Sequence, residues 1–395
     1  MTEHVDVVVA EDAPPQHGGA HGWLHEVYRR WPDPVAWLAA CPSGSAAQEL
    51  VAEGELRILR ELQPLGEVDV TQRRFLAALS AQYRRIAREG GTARRTTLHV
   101  LRAFPEGIAA ALRRRLAGGC TRLVLYAHGE EVLVARSSRQ LRAAARFAWR
   151  SADLVIANSA NTARLVREEV PGANLQVIHP GVDCARAQRA IRELATLRGS
   201  GDGGAPAPLQ LATVARMEPR KNQEAVIRAV ATLSAEGVAL RYLCAGDGPE
   251  RPRLQRLARE LRVEGLVRFP GAIDDDEKWR VFAACDVHVM PAVQVGSMIE
   301  GFGIVFMEAA AAGKPSVCGR IGGQLEAVVD GSTGLAVDGT DPAQVATALR
   351  RLAADPALRA RLGAAAQLRA ALYDWHSVAA RTLVAARGVW TGQAA

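Results

Sequence analysis

The sequence predicts an α/β protein of two doubly wound domains of similar size. Short apolar runs alternate along the chain with longer segments of helical period, the pattern of parallel strands covered on both faces. At ~150 residues per domain, 395 residues suit two or three domains. A stretch of Gly, Pro and Ala at 199–208 interrupts the alternation near its middle, as a flexible linker does, and the alternation then restarts.

In chain order, the runs 5–10, 35–40, 97–101, 123–126, 154–157 and 175–178 read as buried strands, separated by leucine- and arginine-rich helical segments. Beyond the linker, 209–215, 240–245, 266–269, 287–290, 315–318 and 334–337 read the same way. Helices over 223–235, 275–284 and 342–354 lie between them, and a final helical region runs from about 356 to 389. The expected division is a first domain over 1–190, a linker over 191–208 and a second domain over 209–371.

Composition narrows the function classes. Apolar residues make up 49% and charged residues 23%, which excludes a disordered or fibrous chain. No apolar run reaches the ~18 residues of a membrane-spanning helix. The start carries acids and no basic n-region, so cytoplasmic location is the expectation. None of the six cysteines forms a C-x-x-C pair, which suits buried free thiols in a reducing compartment. Only three lysines, Lys221, Lys278 and Lys314, persist among 49 basic residues, so each is informative about its position.

The net charge of +7 is concentrated: residues 81–150 hold fifteen arginines against four acids. Arg84, Arg85, Arg88, Arg94, Arg95 and Arg113 to Arg115 read either as a solvated face or as a surface for an anionic lipid acceptor or membrane leaflet. No aromatic-interleaved basic motif accompanies them, so nucleic acid is not an expected partner.

Ligands of open parallel sheets bind at the carboxyl ends of the strands, so the residues just after each strand are the candidates. After the first strand, Gly18 and Gly19 permit close backbone approach before a helix N-terminus that favours anions. His17, His21 and His25 recur at four-residue spacing, but nothing nearby completes a ligand set, and no metal is expected. His128 follows the strand ending at Tyr126, beside Gly129, Glu130 and Glu131. After the strand ending at Ala215, Arg216, Arg220 and Lys221 precede a helix and suit a diphosphate. Gly246-Asp-Gly248 lacks the third glycine of a dinucleotide fingerprint and reads as a tight turn. Finally, Glu300 stands before Gly301-Phe302-Gly303, and Glu308 lies about two turns along the helix that this loop opens. Two carboxylates bracketing a glycine loop can accept hydrogen bonds from sugar hydroxyls.

These segments, taken together, resemble the donor domain of retaining GT-B glycosyltransferases, specifically glycosyltransferase family 4. The matching pieces follow the family order: Val214-Ala-Arg216 with Lys221, Gly246-Asp-Gly-Pro-Glu250, Val267-Arg-Phe-Pro-Gly271, Asp286-Val-His-Val-Met-Pro291, Glu300-Gly-Phe-Gly-Ile304 with Glu308, Gly313-Lys-Pro315, Gly322-Gly-Gln-Leu-Glu326 and Asp330-Gly-Ser-Thr-Gly-Leu335. They span about 209–340. The first half matches more loosely, through Gly18-Gly19, His128-Gly129, Val155-Ile-Ala-Asn-Ser159 and Val177-Ile-His-Pro-Gly-Val-Asp183. One departure is Ala215, where the family usually has glycine.

The resemblance implies two facing Rossmann-like domains, an acceptor domain first and a donor domain second, with the helices over about 372–395 packing back on the first. It implies that Arg216 and Lys221 clamp the donor diphosphate and that Glu308 binds ribose hydroxyls. It implies that Glu300, with the backbone of Gly301, Phe302, Gly303 and Ile304, holds the donor sugar. His128 would reach that sugar from the first domain, with Gly18 and Gly19 near the phosphates. The implied reaction is metal-independent, cofactor-free transfer of a hexose from a UDP- or GDP-sugar to a hydroxyl on a glycan, lipid or small metabolite, with retention of configuration. The competing readings are a sugar-nucleotide epimerase or hydrolase on the same architecture and a degenerate binding protein.

Overall fold

Two parallel sheets organise the protein, one in each of two units, in a computed structural model that describes residues 4–12, 19–40, 57–61, 84, 95–116, 121–198 and 207–391. One unit comprises Met1–Pro180 with Trp375–Ala395, and the other Gly181–Asp374.

The first unit's sheet holds β1 (His4–Asp12), β2 (Ala36–Ala40), β3 (Arg57–Glu61), β4 (Arg95–Val100), β5 (Thr121–Ala127), β6 (Leu154–Ala157) and β7 (Leu175–Val177). Their order is β3-β2-β1-β4-β5-β6-β7, all parallel. The winding reverses between β1 and β4, which opens a crevice at the carboxyl ends of those strands. Strand β3 escaped the sequence reading because its only apolar residues, Ile58 and Leu59, stand among charged neighbours, as an edge strand tolerates.

Helices α1 (Gly19–Tyr28), α2 (Glu106–Leu116), α3 (Glu130–Ala135), α4 (Arg139–Ser151) and α5 (Ala160–Glu169) cover this sheet. Ser138 and Ser159 cap α4 and α5 by accepting from the Leu141 and Thr162 backbone N–H groups. On one face Trp23, Leu24 and Val27 of α1 join Val8, Val124 and Ile156. On the other, Ala109, Trp149 and Val166 pack with Val7, Leu98 and Leu125. The alternation of Val7 and Val8 between the two cores is the period-2 rule of a strand buried on both faces.

The second unit carries α6 (Cys184–Arg198), β8 (Leu209–Val214), α7 (Gln223–Ala235), β9 (Leu240–Ala245), α8 (Arg251–Glu260), β10 (Val267–Gly271), α9 (Asp275–Ala284), β11 (Val287–Met290), α10 (Ile304–Ala311), β12 (Ser316–Gly319), α11 (Gln324–Ala327), β13 (Gly334–Val337), α12 (Pro342–Ala354) and α13 (Pro356–Ala371). The strand order β10-β9-β8-β11-β12-β13 is again all parallel, with its reversal between β8 and β11.

Two boundaries differ from expectation. The units part between Pro180 and Gly181, and residues 191–198 continue a helix instead of opening a linker. The cause is packing: Ala187, Ala190, Ile191 and Leu194 of α6 lie against the core of Trp279, Phe282 and Phe306, so α6 belongs to the second unit. The final helical region breaks at Leu372–Asp374. The helix beyond it, α14 (Trp375–Thr391), belongs to the first unit. Its buried residues Trp375, Val378, Ala379, Thr382, Ala385, Ala386 and Val389 keep helical spacing and build one face against the α1 side of the core.

A buried histidine should make the second unit acid-sensitive. His288 on β11 is 0% exposed between Phe282 and Phe306, with Nδ1 3.2 Å from Ser316 Oγ. Burial, reinforced by the Lys221 charge, pushes its pKa down to about 3. At His288 the unfolded chain binds a proton below the ordinary value of 6.5 while the folded chain does not, so the stability this group contributes is full above 6.5 and lost as pH falls towards 3. The melting temperature should therefore fall between about pH 6.5 and 4, and His288→Phe should flatten that fall. An equal fall in the variant would assign the acid sensitivity to other groups.

Candidate active site

Strand β8 ends at Val214, and the loop after it is held on both sides. Ala215 N donates to Ala245 O at 3.1 Å, Met217 N to Asp247 O at 2.9 Å, and Glu250 N to Met217 O at 3.1 Å. The Gly246-Asp-Gly248 turn lies directly beneath. A Cβ on Gly246 (φ +122°) would stand 2.0 Å from Ala215 O, and one on Gly248 (φ +156°) 2.5 Å from Met217 O. This segment is the tight turn that its incomplete glycine pattern suggested, and its glycines let two backbones touch.

After Met217 a short 3₁₀ turn, Pro219–Lys221, leads into α7 through Asn222, which adopts a left-handed φ of 57°. Asn222 Nδ2 donates to Pro291 O at 3.0 Å and Gly339 O at 2.6 Å, and Val293 N donates to Arg220 O at 2.8 Å. The turn is thereby fastened to the carboxyl end of β11, at the reversal point of the sheet.

This fastening brings the candidates together. Lys221 Nζ donates to Glu300 Oε2, and Arg220 Nη1 reaches the same oxygen at 3.1 Å. Arg220 Nε donates to Glu218 at 3.1 Å, and Arg216, 75% exposed, stands 3.3 Å from Glu218. Burial opposes the charged form of Glu300, but Lys221 and Arg220 outweigh it and hold the carboxyl below its ordinary range. The result is a group of three cations around two carboxylates.

The Glu300 loop is pressed from below. Cβ atoms on Gly322 and Gly323 would lie 2.3 Å from Glu300 O and 2.0 Å from Gly301 O. Gln324, wholly buried, accepts from Ala292 N and Gly319 N at 3.2 and 2.8 Å and donates to Ala292 O and Ile321 O at 3.0 and 2.9 Å. It binds the ends of β11 and β12 together. Phe302 is 2% exposed in the core, so only its backbone can face a ligand. Gly303, at φ +86°, turns the chain into α10, where Ile304 is the first residue. Glu308 does not join the Glu300 group. Its Oε1 accepts from Lys278 Nζ at 2.6 Å.

In the first unit, His128 follows β5 at the carboxyl edge. Its Nε2 donates to Leu101 O at 2.8 Å, its backbone N donates to Glu131 Oε1 at 2.7 Å, and its ring meets Trp23 edge-on at 5.6 Å. Desolvation pushes its pKa down to about 4, so the imidazole is neutral near pH 7. Gly19 is the exposed first residue of α1. Gly18 lies outside the described residues.

Much of the basic segment's charge is used internally. Arg136, Arg142 and Arg146 surround buried Glu169 at 2.7 to 2.9 Å, and Arg114 grips Asp153 at 2.7 and 2.8 Å. Arg95 and Arg122 stack over Trp390, and Arg115 over Phe147. Arg85, Arg88 and Arg94 lie outside the described residues.

Sequence reasoning missed Lys278 and Gln324 as site-building residues. The scarcity of lysine was the available signal for the first: two of the three lysines pair with the two motif glutamates. Gln324 had only its place within Gly322-Gly-Gln-Leu-Glu326.

Residues 205–369 match the family Glycosyl transferases group 1, and residues 17–186 match Glycosyltransferase Family 4. A GDP-mannose-dependent alpha-(1-6)-phosphatidylinositol monomannoside mannosyltransferase of Mycolicibacterium smegmatis is 32% identical over 366 residues, covering 91% of this chain and 92% of the relative. A D-inositol 3-phosphate glycosyltransferase of Streptomyces avermitilis is 37% identical over 244 residues, 59% of this chain and 51% of that protein. Among solved structures, Anabaena HepE in complex with UDP-glucose aligns with a TM-score of 0.73 at 22% identity, covering 96% of this chain and all of the other. Sucrose-phosphate synthase from Thermosynechococcus elongatus aligns with a TM-score of 0.77 at 20% identity, covering 98% and 100%. At those identities the structures speak to the fold, which is GT-B. The fold, the ordered motifs and the full-length relative agree: this chain belongs to glycosyltransferase family 4, the nucleotide-sugar glycosyltransferases.

Proposed function

We propose that the chain is a retaining, metal-independent hexosyltransferase that moves mannose from GDP-mannose to an inositol-bearing lipid at the cytoplasmic face of a membrane. The observation that carries the chemistry is Glu300 held by Lys221 and Arg220 where β8 and β11 diverge. The choice of donor and acceptor rests on the relatives, whose names combine GDP-mannose with phosphatidylinositol monomannoside, or specify D-inositol 3-phosphate.

Breaking a glycosyl–phosphate bond builds negative charge on the leaving diphosphate. Fixed cations there stabilise the transition state, and Lys221, Arg220 and Arg216 supply that charge without a metal. In this reading Lys221 passes from Glu300 to the diphosphate when donor binds, and Glu300 turns to the sugar hydroxyls. The sugar takes the acceptor oxygen on the face that the diphosphate leaves, which retains configuration, and the departing phosphate takes the acceptor's proton. In this reading Glu300 is not a covalent nucleophile, because its carboxylate is engaged by Arg220 and the sugar hydroxyls. Neutral His128 is suited to hydrogen-bond a sugar hydroxyl.

The membrane reading is supported by Leu116, 71% exposed at the end of α2. No described helix is long and apolar enough to cross a membrane.

The test is a calorimetric titration with GDP, UDP, ADP and NAD in EDTA, then transfer from GDP-mannose to phosphatidylinositol or its monomannoside in vesicles. Tight GDP binding and an α-linked product formed in EDTA are expected. A folded protein that binds no nucleoside diphosphate overturns the reading. Loss of transfer in EDTA overturns metal independence, and a β-linked product overturns retention.

A further inference from the structure

We propose that Lys278 is a specificity-determining residue for donor recognition: it fixes Glu308, and carboxylate and ammonium together recognise the ribose diol of the nucleotide. This rests on the donor site proposed above and on the ribose role that the family resemblance implies for Glu308, and it adds a residue to them.

The geometry is specific. Glu308 lies on α10, where its neighbours Val305, Phe306, Met307, Ala309, Ala310 and Ala311 offer the carboxylate no polar partner. The partner comes from another helix, thirty residues earlier in the chain: Lys278 Nζ on α9 lies 2.6 Å from Glu308 Oε1. Lys278 is itself held from two other sides. Asp275 Oδ1, one turn back on α9, lies 2.6 Å from Nζ, and the Trp279 ring centroid lies 5.4 Å away. A flexible side chain is thus held in one place, with 21% of its surface exposed. Burial works against its charge, and Glu308 and Asp275 together more than compensate, raising its pKa.

The two groups retain capacity for a ligand. An ammonium has three N–H donors, and Lys278 engages two carboxylates. Among the described residues, Glu308 Oε2 makes no hydrogen bond. A vicinal diol needs acceptors for its O–H groups and a donor for an oxygen lone pair. A carboxylate alone supplies the first, and the Lys278–Glu308 pair supplies both. A lone glutamate two turns along an apolar helix would instead have no partner to fix its carboxylate.

The experiment compares GDP and UDP with their 2′,3′-dideoxy counterparts by calorimetry, using the full chain and the variants Lys278→Met and Lys278→Arg, with donor kinetics and melting curves on each. For wild type, a preference of about 100-fold for the ribonucleotide is expected from two hydrogen bonds to charged groups. Lys278→Met should reduce that preference to about 10-fold or less and raise donor KM about 10-fold, with kcat changed far less. Lys278→Arg should restore part of the discrimination. Unchanged discrimination and KM in Lys278→Met, with only a lower melting temperature, would make the pair a structural tie between α9 and α10 and overturn the proposal. Wild-type protein that binds both sugars equally would overturn it too. Wild-type protein that binds no nucleotide would instead overturn the donor site on which it rests.

Discussion

Replacing Lys221 with methionine should lower kcat/KM for the donor by about 100- to 1000-fold, the cost of removing one preorganised contact to a developing anion. The structure makes this a clean test. Lys221 shares Glu300 Oε2 with Arg220, which reaches it at 3.1 Å, so removing the ammonium still leaves the buried carboxylate a cation. The variant should therefore fold and melt near wild type, because a buried charge is severely destabilising only when left alone. Initial rates of transfer with thermal melting on the same sample check both halves. A folded Lys221→Met protein with wild-type turnover would mean that the diphosphate binds elsewhere.

Gly246→Ala should destabilise the second unit by about 3 kcal/mol or more, since it combines a φ foreign to L-residues with a backbone overlap. The added Cβ would stand 2.0 Å from Ala215 O and 2.8 Å from Ala215 C, and neither atom belongs to a flexible side chain that can move aside. Relief requires displacing the loop that carries Arg216, so transfer should fall together with stability. Gly265→Ala is the matched control. It has no atom within 4 Å of the new Cβ, and its stability should change by no more than about 0.5 kcal/mol. Equal melting temperatures for the two variants would show that the β9 turn does not press on the β8 loop.

Both predictions depend on contacts that residue patterns locate only in part. Apolar runs place twelve of the strands and the helices between them, because burial on both faces of a parallel sheet leaves a local mark in the sequence. Local order also places the candidates. Strand ends at Val214 and Met290 are visible as the ends of apolar runs, and the candidate residues follow them because the loops there are where backbone groups remain unpaired. The edge strand β3 is invisible for the opposite reason, since little of an edge needs apolar residues.

What the tertiary structure alone decides is partnership. Lys221 and Glu300 are seventy-nine residues apart, and Lys278 and Glu308 thirty. No local spacing says which lysine meets which glutamate, because that depends on how α7, α9 and α10 are set against the sheet. The same holds for the unit boundary: the composition of 199–208 announces a linker, yet α6 lies before it and belongs to the second unit, where Ala187 and Ala190 find their core. Short-range chemistry therefore determines the elements, the loops and the residue types at this protein's site. The pairing of its charges is decided by packing, since a buried ion pair is a contact between surfaces brought together only when the helices pack on the sheet.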